Sequence, residues 1–224
     1  MSNPRSNISP SDLTFSWDGC HRCLWLTYNH QIKAPLFMPL VGELADMQER
    51  HYKGRRSEEL GAGLPSGQVI SHGGWVHSNP ISVAGIETPF SIRGKYDLLL
   101  KFDDGTYGII DCKFQGKLND KSAFYSPQLE AYAFALENPA KEEPKQVSVL
   151  GLMVWSLKSP RGNPNDGFGL DVDWQWYPIA RDPAALQQRF ADFISVISGE
   201  MPESKASCEQ CRYLNARREI IGIG

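Results

Sequence analysis

The chain has no surplus of positive charge: 23 Lys and Arg stand against 26 Asp and Glu, a formal net charge of −3 over 224 residues. That balance excludes a generally basic nucleic-acid-binding surface. Any contact with a polyanion falls to local groups such as Arg50, Lys53, Arg55 and Arg56, or Arg212, Arg217 and Arg218. A solvated face is the competing reading of both clusters. Long apolar runs are absent as well, which excludes a bilayer-spanning helix and a membrane partner. No stretch has the makeup of a secretory leader, and the expected setting is a reducing cytoplasm. Repeats, low-complexity tracts and a persuasive linker are also missing. One domain over residues 1–224 is the expectation, and 41% hydrophobic residues give it a substantial core.

What is there begins with two apolar, partly alternating runs, Tyr96 to Phe102 and Thr106 to Lys113, around Asp103-Asp-Gly105. Such runs about a three-residue loop read as a hairpin, and the last loop position needs the left-handed conformation that Gly105 enters at little steric cost. Phe102 then pairs with Thr106. Carried back along both strands, that register puts Asp97 opposite Asp111 and Lys95 opposite Lys113, with Asp97, Asp111 and Lys113 on one face. A four-residue loop breaks the arrangement.

Like charges directly opposed across strands destabilise a sheet unless something compensates. A divalent cation compensates, and hard carboxylate oxygens suit Mg²⁺ or Mn²⁺. An adjacent ammonium, Lys113, is placed to orient water and stabilise developing negative charge. The bland alternative makes Asp97 and Lys113 solvated charges on an exposed face. Against it, Gly108-Ile-Ile110 and Leu98-Leu-Leu100 look like buried central strands, where an unpartnered charge is costly.

In order along the chain stand Gly94-Lys-Tyr-Asp97, Gly108-Ile-Ile-Asp-Cys-Lys113 and Gln128-Leu-Glu-Ala-Tyr132. This ordered set resembles the PD-(D/E)XK nuclease superfamily, its RecB-like branch above all. The resemblance implies an α/β fold, a central mixed β-sheet flanked by helices, with a restriction-endonuclease-like core over about residues 40–200. It implies that Asp97, Asp111 and the Cys112 carbonyl bind the metal and that Lys113 is catalytic. Gln128 and Tyr132 then position the site or the nucleic acid. The activity implied is Mg²⁺- or Mn²⁺-dependent hydrolysis of DNA phosphodiesters, exonucleolytic on single strands, in repair, recombination or CRISPR adaptation. In that branch a His often follows the glycine of the preceding helix by four residues; here Gly42 is followed by Asp46, either a further ligand or a surface residue.

The residues around Gln128 read as a helix capped by Ser126 with Pro127 in the first helical position. Gln128 and Tyr132, four apart, share a face. A core aromatic and a solvated amide are the alternative for that pair. Cys112 alternates to the opposite strand face from Asp111 and Lys113, where a small apolar residue packs.

Four of the five cysteines form two C-x-x-C pairs near opposite ends of the chain, Cys20 with Cys23 and Cys208 with Cys211. Only a fold that joins these regions unites them, and together they offer the four thiolates that zinc or an iron–sulfur cluster takes. Disulfides compete in an oxidising setting. The opening Ile8 to Leu13 and Phe15 to Cys20 is similar to the iron–sulfur members of the superfamily, such as the nuclease domain of AddB and the four-cysteine CRISPR-adaptation exonucleases. In those, one N-terminal cysteine joins three near the C-terminus; here no cysteine follows Cys211, and Cys23 is the replacement. A 4Fe-4S cluster is favoured on that resemblance and zinc stays open, with the centre clasping 20–23 to 208–211. A noncatalytic, zinc-clasped nucleic-acid-binding or assembly module is the different-class alternative. Redox catalysis fits less well, since neither pair opens a thioredoxin-like helix.

For the rest, the first helix is expected from Ser9 or Ser11 through Trp25 and the second over Leu40–Tyr52. A Gly- and Ser-rich stretch spans 61–74, with short strands at 75–77 and 81–83. Val147–Trp155 reads as a strand covered on both faces, Ser159–Gly167 as a polar loop, and the Trp174 region as a later strand. Asp182 and Pro183 start a helix with a stripe of Leu186, Phe190, Ile194 and Ile197, ending near Gly199. His51, His72 and His77 read as structural or solvated.

Overall fold

The structure is a computed structural model that describes residues 4–33, 40–61 and 63–222. Its centre is a mixed five-stranded sheet in the order β2 (Gly67–His72), β5 (Leu98–Phe102), β6 (Tyr107–Gln115), β7 (Val147–Asn163), β8 (Gly167–Ile179). β5 and β6 form the expected hairpin: Leu98 pairs with Ile110 and Lys101 with Tyr107. The Phe102 amide donates to the Thr106 carbonyl at 2.9 Å, the Gly105 amide donates to the Phe102 carbonyl at 3.0 Å, and Gly105 holds φ +89°. β6 and β7 run parallel, joined by the crossover helix α4 (Ser122–Glu137). Residues 108–112 of β6 are all buried, because helices or loops cover both faces.

The two faces alternate as β pleating requires. Leu99, Ile109, Leu152 and Val154 join one cluster with Leu129 and Ala133 of α4 and with Phe190 and Phe193 of α5 (Pro183–Ser198). Leu98, Leu100, Ile110, Cys112 and Met153 join the other with Trp176 and with Tyr52 of α3 (Val41–Tyr52). Cys112 is thus core, as its strand parity dictates.

A second sheet, not anticipated, has the order β1 (Asn7–Ile8), β4 (Ile86–Lys95), β3 (Trp75–Val83). β4 passes into β5 through Tyr96 and Asp97, so Asp97 stands where the chain changes sheets. Lys95 consequently pairs with Trp75 rather than facing Lys113.

Other expectations are corrected. The first helix is broken into a 3₁₀ turn at Pro10–Leu13, α1 (Phe15–Asp18) and α2 (His21–His30). Asp12, buried, accepts from Tyr28 Oη at 2.9 Å and Ser16 Oγ at 2.7 Å, and Cys20 is extended, which turns its sulfur toward the C-terminal cysteines. The stretch 61–74 contains β2. The two short strands merge into β3, and Ser159–Gly167 is no loop: β7 and β8 pair out to Asn163 and Gly167 as a long ribbon. α4 starts at Ser122, where Asp120 Oδ1 accepts the Ser122 amide at 2.8 Å, leaving Pro127 inside the helix.

α5 follows expectation: Asp182 caps it by accepting the Ala185 amide at 2.9 Å, and it ends at Gly199. The preceding Arg181 fixes α4. Its Nε donates to both Glu130 carboxylate oxygens at 3.1 Å, its Nη atoms donate to Glu137 at 3.0 and 3.1 Å, and Nη1 also meets the Val147 carbonyl. The last helix, α6 (Glu209–Ile221), has Cys211 as its buried residue among those described. No helix of the described residues is long and apolar enough to cross a membrane.

Candidate active site

The site forms where β4 hands over to β5. One step beyond the Leu98–Ile110 pair, Asp97 comes against β6, and its Oδ2 accepts the Cys112 amide at 2.7 Å. The Gly73–Gly74 corner clamps this junction: the Gly73 amide donates to the Asp97 carbonyl at 2.8 Å and the Tyr96 amide to the Gly74 carbonyl at 2.9 Å. Only glycine fits, since a Cβ on Gly74 would stand 2.2 Å from Tyr96 Oη and Gly73 holds φ +61°.

Asp111, 2% exposed, lies on the α4 side of β6. Lys113 Nζ forms an ion pair with Asp111 Oδ2, reaches the Cys112 carbonyl at 3.4 Å, and sits 4.9 Å from the centroid of the Tyr125 ring. From α4, Gln128 Nε2 donates to Asp111 Oδ1 at 3.0 Å. One turn on, Tyr132 Oη donates to the Lys95 carbonyl at 2.7 Å. Asp97, Asp111, Lys113, Gln128 and Tyr132 are therefore gathered by three elements, with Gln128 gripping β6 and Tyr132 the end of β4.

Electrostatics follow from this crowding. Burial, then the charge of Asp111, pushes Asp97 up to about 8. Burial opposes the charge on Lys113, but Asp111 and Asp97 outweigh it and hold its pKa above the usual lysine value. Two acids at close range, one retaining a proton near neutrality, are a donor set short of positive charge. Three carboxylates and a backbone carbonyl fit a hard divalent cation.

The third carboxylate is Glu49 of α3, which the sequence reading missed in favour of Asp46. Asp46 is exposed and paired with Arg50 at 2.9 Å. Glu49 is 5% exposed, and its Oε2 lies 3.2 Å from where a Cβ on Gly73 would stand. Burial raises its pKa, with Lys95 opposing and Asp46 and Asp111 adding to the rise. A signal existed: Ala45, Glu49 and Tyr52 recur at helical spacing, which places an acid inside the buried stripe. Tyr125, three residues before Gln128 on α4, was likewise missed; it lines Lys113.

The sequence pattern that defines the PD-(D/E)XK nuclease superfamily matches residues 40–216. The chain belongs to the PD-(D/E)XK nuclease superfamily. Among solved structures, that titled "Crystal structure of SSO0001" is similar: 15% identity, TM-score 0.47, 88% of this chain and 79% of that one covered. No curated protein matches. The superfamily assignment gives the mixed sheet and flanking helices their restriction-endonuclease-like character, makes a nucleic acid the expected class of substrate and a divalent metal the usual cofactor.

The four paired cysteines meet where the starts of α2 and α6 come together. Cys23 Sγ lies 3.5 Å from Cys211 Sγ and 3.7 Å from Cys208 Sγ, Cys20 Sγ lies 3.9 Å from Cys211 Sγ, and all four fall within 4.8 Å of one another. They are free thiols rather than disulfides. Burial opposes ionisation of Cys20, but the amides of Lys205 and Cys23 help bring it down to about 7. Trp25 Nε1 and Asn29 Nδ2, on α2, donate to the carbonyls of Gly199 and Ile197 at 2.9 and 2.8 Å, so the clasp adds to an existing α2–α5 contact.

The first expected nucleic-acid cluster is largely neutralised. Arg50 pairs with Asp46, Arg55 with Glu59 at 2.8 Å, and Arg56 with Asp103 at 3.0 Å. His51 packs edge-on against Tyr52 and Trp155, and His77 Nε2 bonds Ser91 Oγ at 3.1 Å.

Proposed function

We propose that this chain is a Mg²⁺- or Mn²⁺-dependent deoxyribonuclease, acting as one domain and degrading single-stranded DNA from an end. The observation that carries the reading is the junction of Asp97, on β6's Cys112 amide, with Asp111, held by Gln128 and ion-paired to Lys113. Asp97, Asp111, Glu49 and the Cys112 carbonyl would hold the metal. Bound there, it supplies Lewis-acid activation of the scissile phosphate.

The remaining work belongs to the chain. Gln128 occupies Oδ1 of Asp111 and so fixes which oxygen faces the reacting groups. Lys113, kept charged by two acids, orients water and meets negative charge as it develops. Tyr132 anchors the Lys95 carbonyl, keeping Asp97 at the sheet junction. Asp97 must release its proton for the cation, which ties activity to pH. Linear and circular single-stranded DNA of one sequence test the reading: loss of the linear form with Mn²⁺ and survival of the circle is the expected result. Equal loss of both overturns the end-dependence.

For the cysteine centre, zinc is the better assignment than a 4Fe-4S cluster. Thiolates bonded to one tetrahedral ion at about 2.3 Å stand about 3.8 Å apart, and the three closest pairs here span 3.5–3.9 Å. A cubane places each thiolate on a separate iron and needs wider spacing. Its role is to fasten α6 to α2, since α6 buries little else.

A further inference from the structure

We propose that the exposed face shared by β3 and β4 is a track for single-stranded nucleic acid, on which Trp75 stacks a base and Arg93 and Lys141 hold phosphates. The proposal rests on the nuclease reading above, because it supplies the path to that site.

The strand register sets the pattern. Trp75 pairs with Lys95 and His77 with Arg93, and all four side chains point to solvent. Trp75 is 65% exposed, a large apolar area for a residue with no described core around it. The Arg93 guanidinium lies 5.6 Å from its ring centroid, which presents a cation and a π-face together. Trp75, His77 and Arg93 open on a cleft of about 270 Å³ whose wall includes Leu136 in the last turn of α4 and Lys141 beyond its end.

Charge decides the occupant. In a chain of net charge −3, Arg5, Arg50, Arg55, Arg56, Lys158, Arg161 and Arg181 each have a carboxylate. Among the described residues, neither Arg93 nor Lys141 forms an ion pair, whereas the charge of Lys95 acts on Glu49; Glu142, on the cleft rim, is taken by Lys145 at 2.7 Å. Unpaired cations beside an exposed indole fit a flexible polyanion with free bases, not a duplex whose bases are stacked internally.

Position links the face to the site. Lys95 precedes Asp97 by two residues, a span of at most about 7 Å, and its carbonyl is the one that Tyr132 holds. A strand laid along β3 and β4 therefore arrives at the acids within one or two nucleotides of Trp75.

The test measures binding of fluorescein-labelled oligo(dT) in EDTA, where no cleavage occurs, with unlabelled oligo(dT) and blunt duplex as competitors. Trp75→Ala should weaken binding about 5- to 150-fold, the range for losing one stacked base. Trp75→Phe should restore most of it. Arg93→Gln should lower the salt dependence by about 0.7 in log–log slope for each phosphate contact removed. Trp75 is exposed and Arg93 outside the core, so both variants keep the fold, which circular dichroism checks. Equal binding by Trp75→Ala, equal competition by duplex, or no binding by the wild type each overturns the track. A wild type that binds in this way yet never cuts overturns the nuclease reading and leaves the track standing.

Discussion

Gln128 on α4 reaches across to β6 and donates to one oxygen of Asp111 at 3.0 Å, while the other oxygen faces Lys113. The helix thereby sets the orientation of an acid on a strand seventeen residues earlier in the chain. Groups of this kind around a ligand typically govern metal affinity or rate by about 10- to 100-fold. Gln128→Ala should raise the Mn²⁺ concentration needed for half-maximal cleavage by that factor, with an unchanged circular dichroism spectrum. An unaltered metal requirement would remove Gln128 from the site.

Asp97 gives a pH dependence with a definite sign. Its folded-state value, about 8, stands above the ordinary 3.8. The folded, metal-free chain keeps a proton that the unfolded chain releases, so the stability this group contributes is complete below pH 3.8 and declines as pH rises through about 8. Metal must displace the proton. Mn²⁺ binding measured by calorimetry at pH 7 in buffers of different ionisation enthalpy should show release of close to one proton, and Asp97→Asn should abolish it. No release in the wild type contradicts the burial argument.

Much of this site is legible in the sequence. The three-residue turn with Gly105 sets the β5–β6 register, and once that is fixed side-chain parity places Asp111, Cys112 and Lys113. Helical spacing similarly puts Gln128 and Tyr132 on one face. What could not be read depends on partners distant in the chain. β2 and the Ser159–Gly167 ribbon are polar or glycine-rich, and they are strands because β5 and each other supply the hydrogen bonds. Glu49 joins the acids only because Gly73 and Gly74 bring the β2–β3 corner against Asp97. The break before α2 follows from the need to turn Cys20 toward Cys211.

Arg181 and Glu130 should matter to stability rather than chemistry. Glu130 is 2% exposed and accepts both Arg181 Nε and the Asp182 amide. Arg181→Ala leaves that carboxylate buried without its cation, and the expected loss is about 3 kcal/mol in urea unfolding. Glu130→Gln with Arg181→Met should recover part of it. A single variant as stable as the wild type would show that the network contributes nothing net.

The cysteine centre predicts one zinc per chain by elemental analysis and a colourless protein without visible absorption. Chelation should release α6, seen as new protease cleavage between residues 205 and 222, while α2 and α5 stay protected. Brown protein carrying iron and acid-labile sulfide would reverse the assignment.

The central claim is tested most directly by Mn²⁺-dependent cleavage of linear single-stranded DNA, compared between the wild type and Asp111→Ala and Lys113→Ala purified in parallel. The account predicts that the wild type cuts, that both variants fall to background, and that both remain folded. Equal degradation by all three, or none by a folded, metal-supplied wild type, would contradict it.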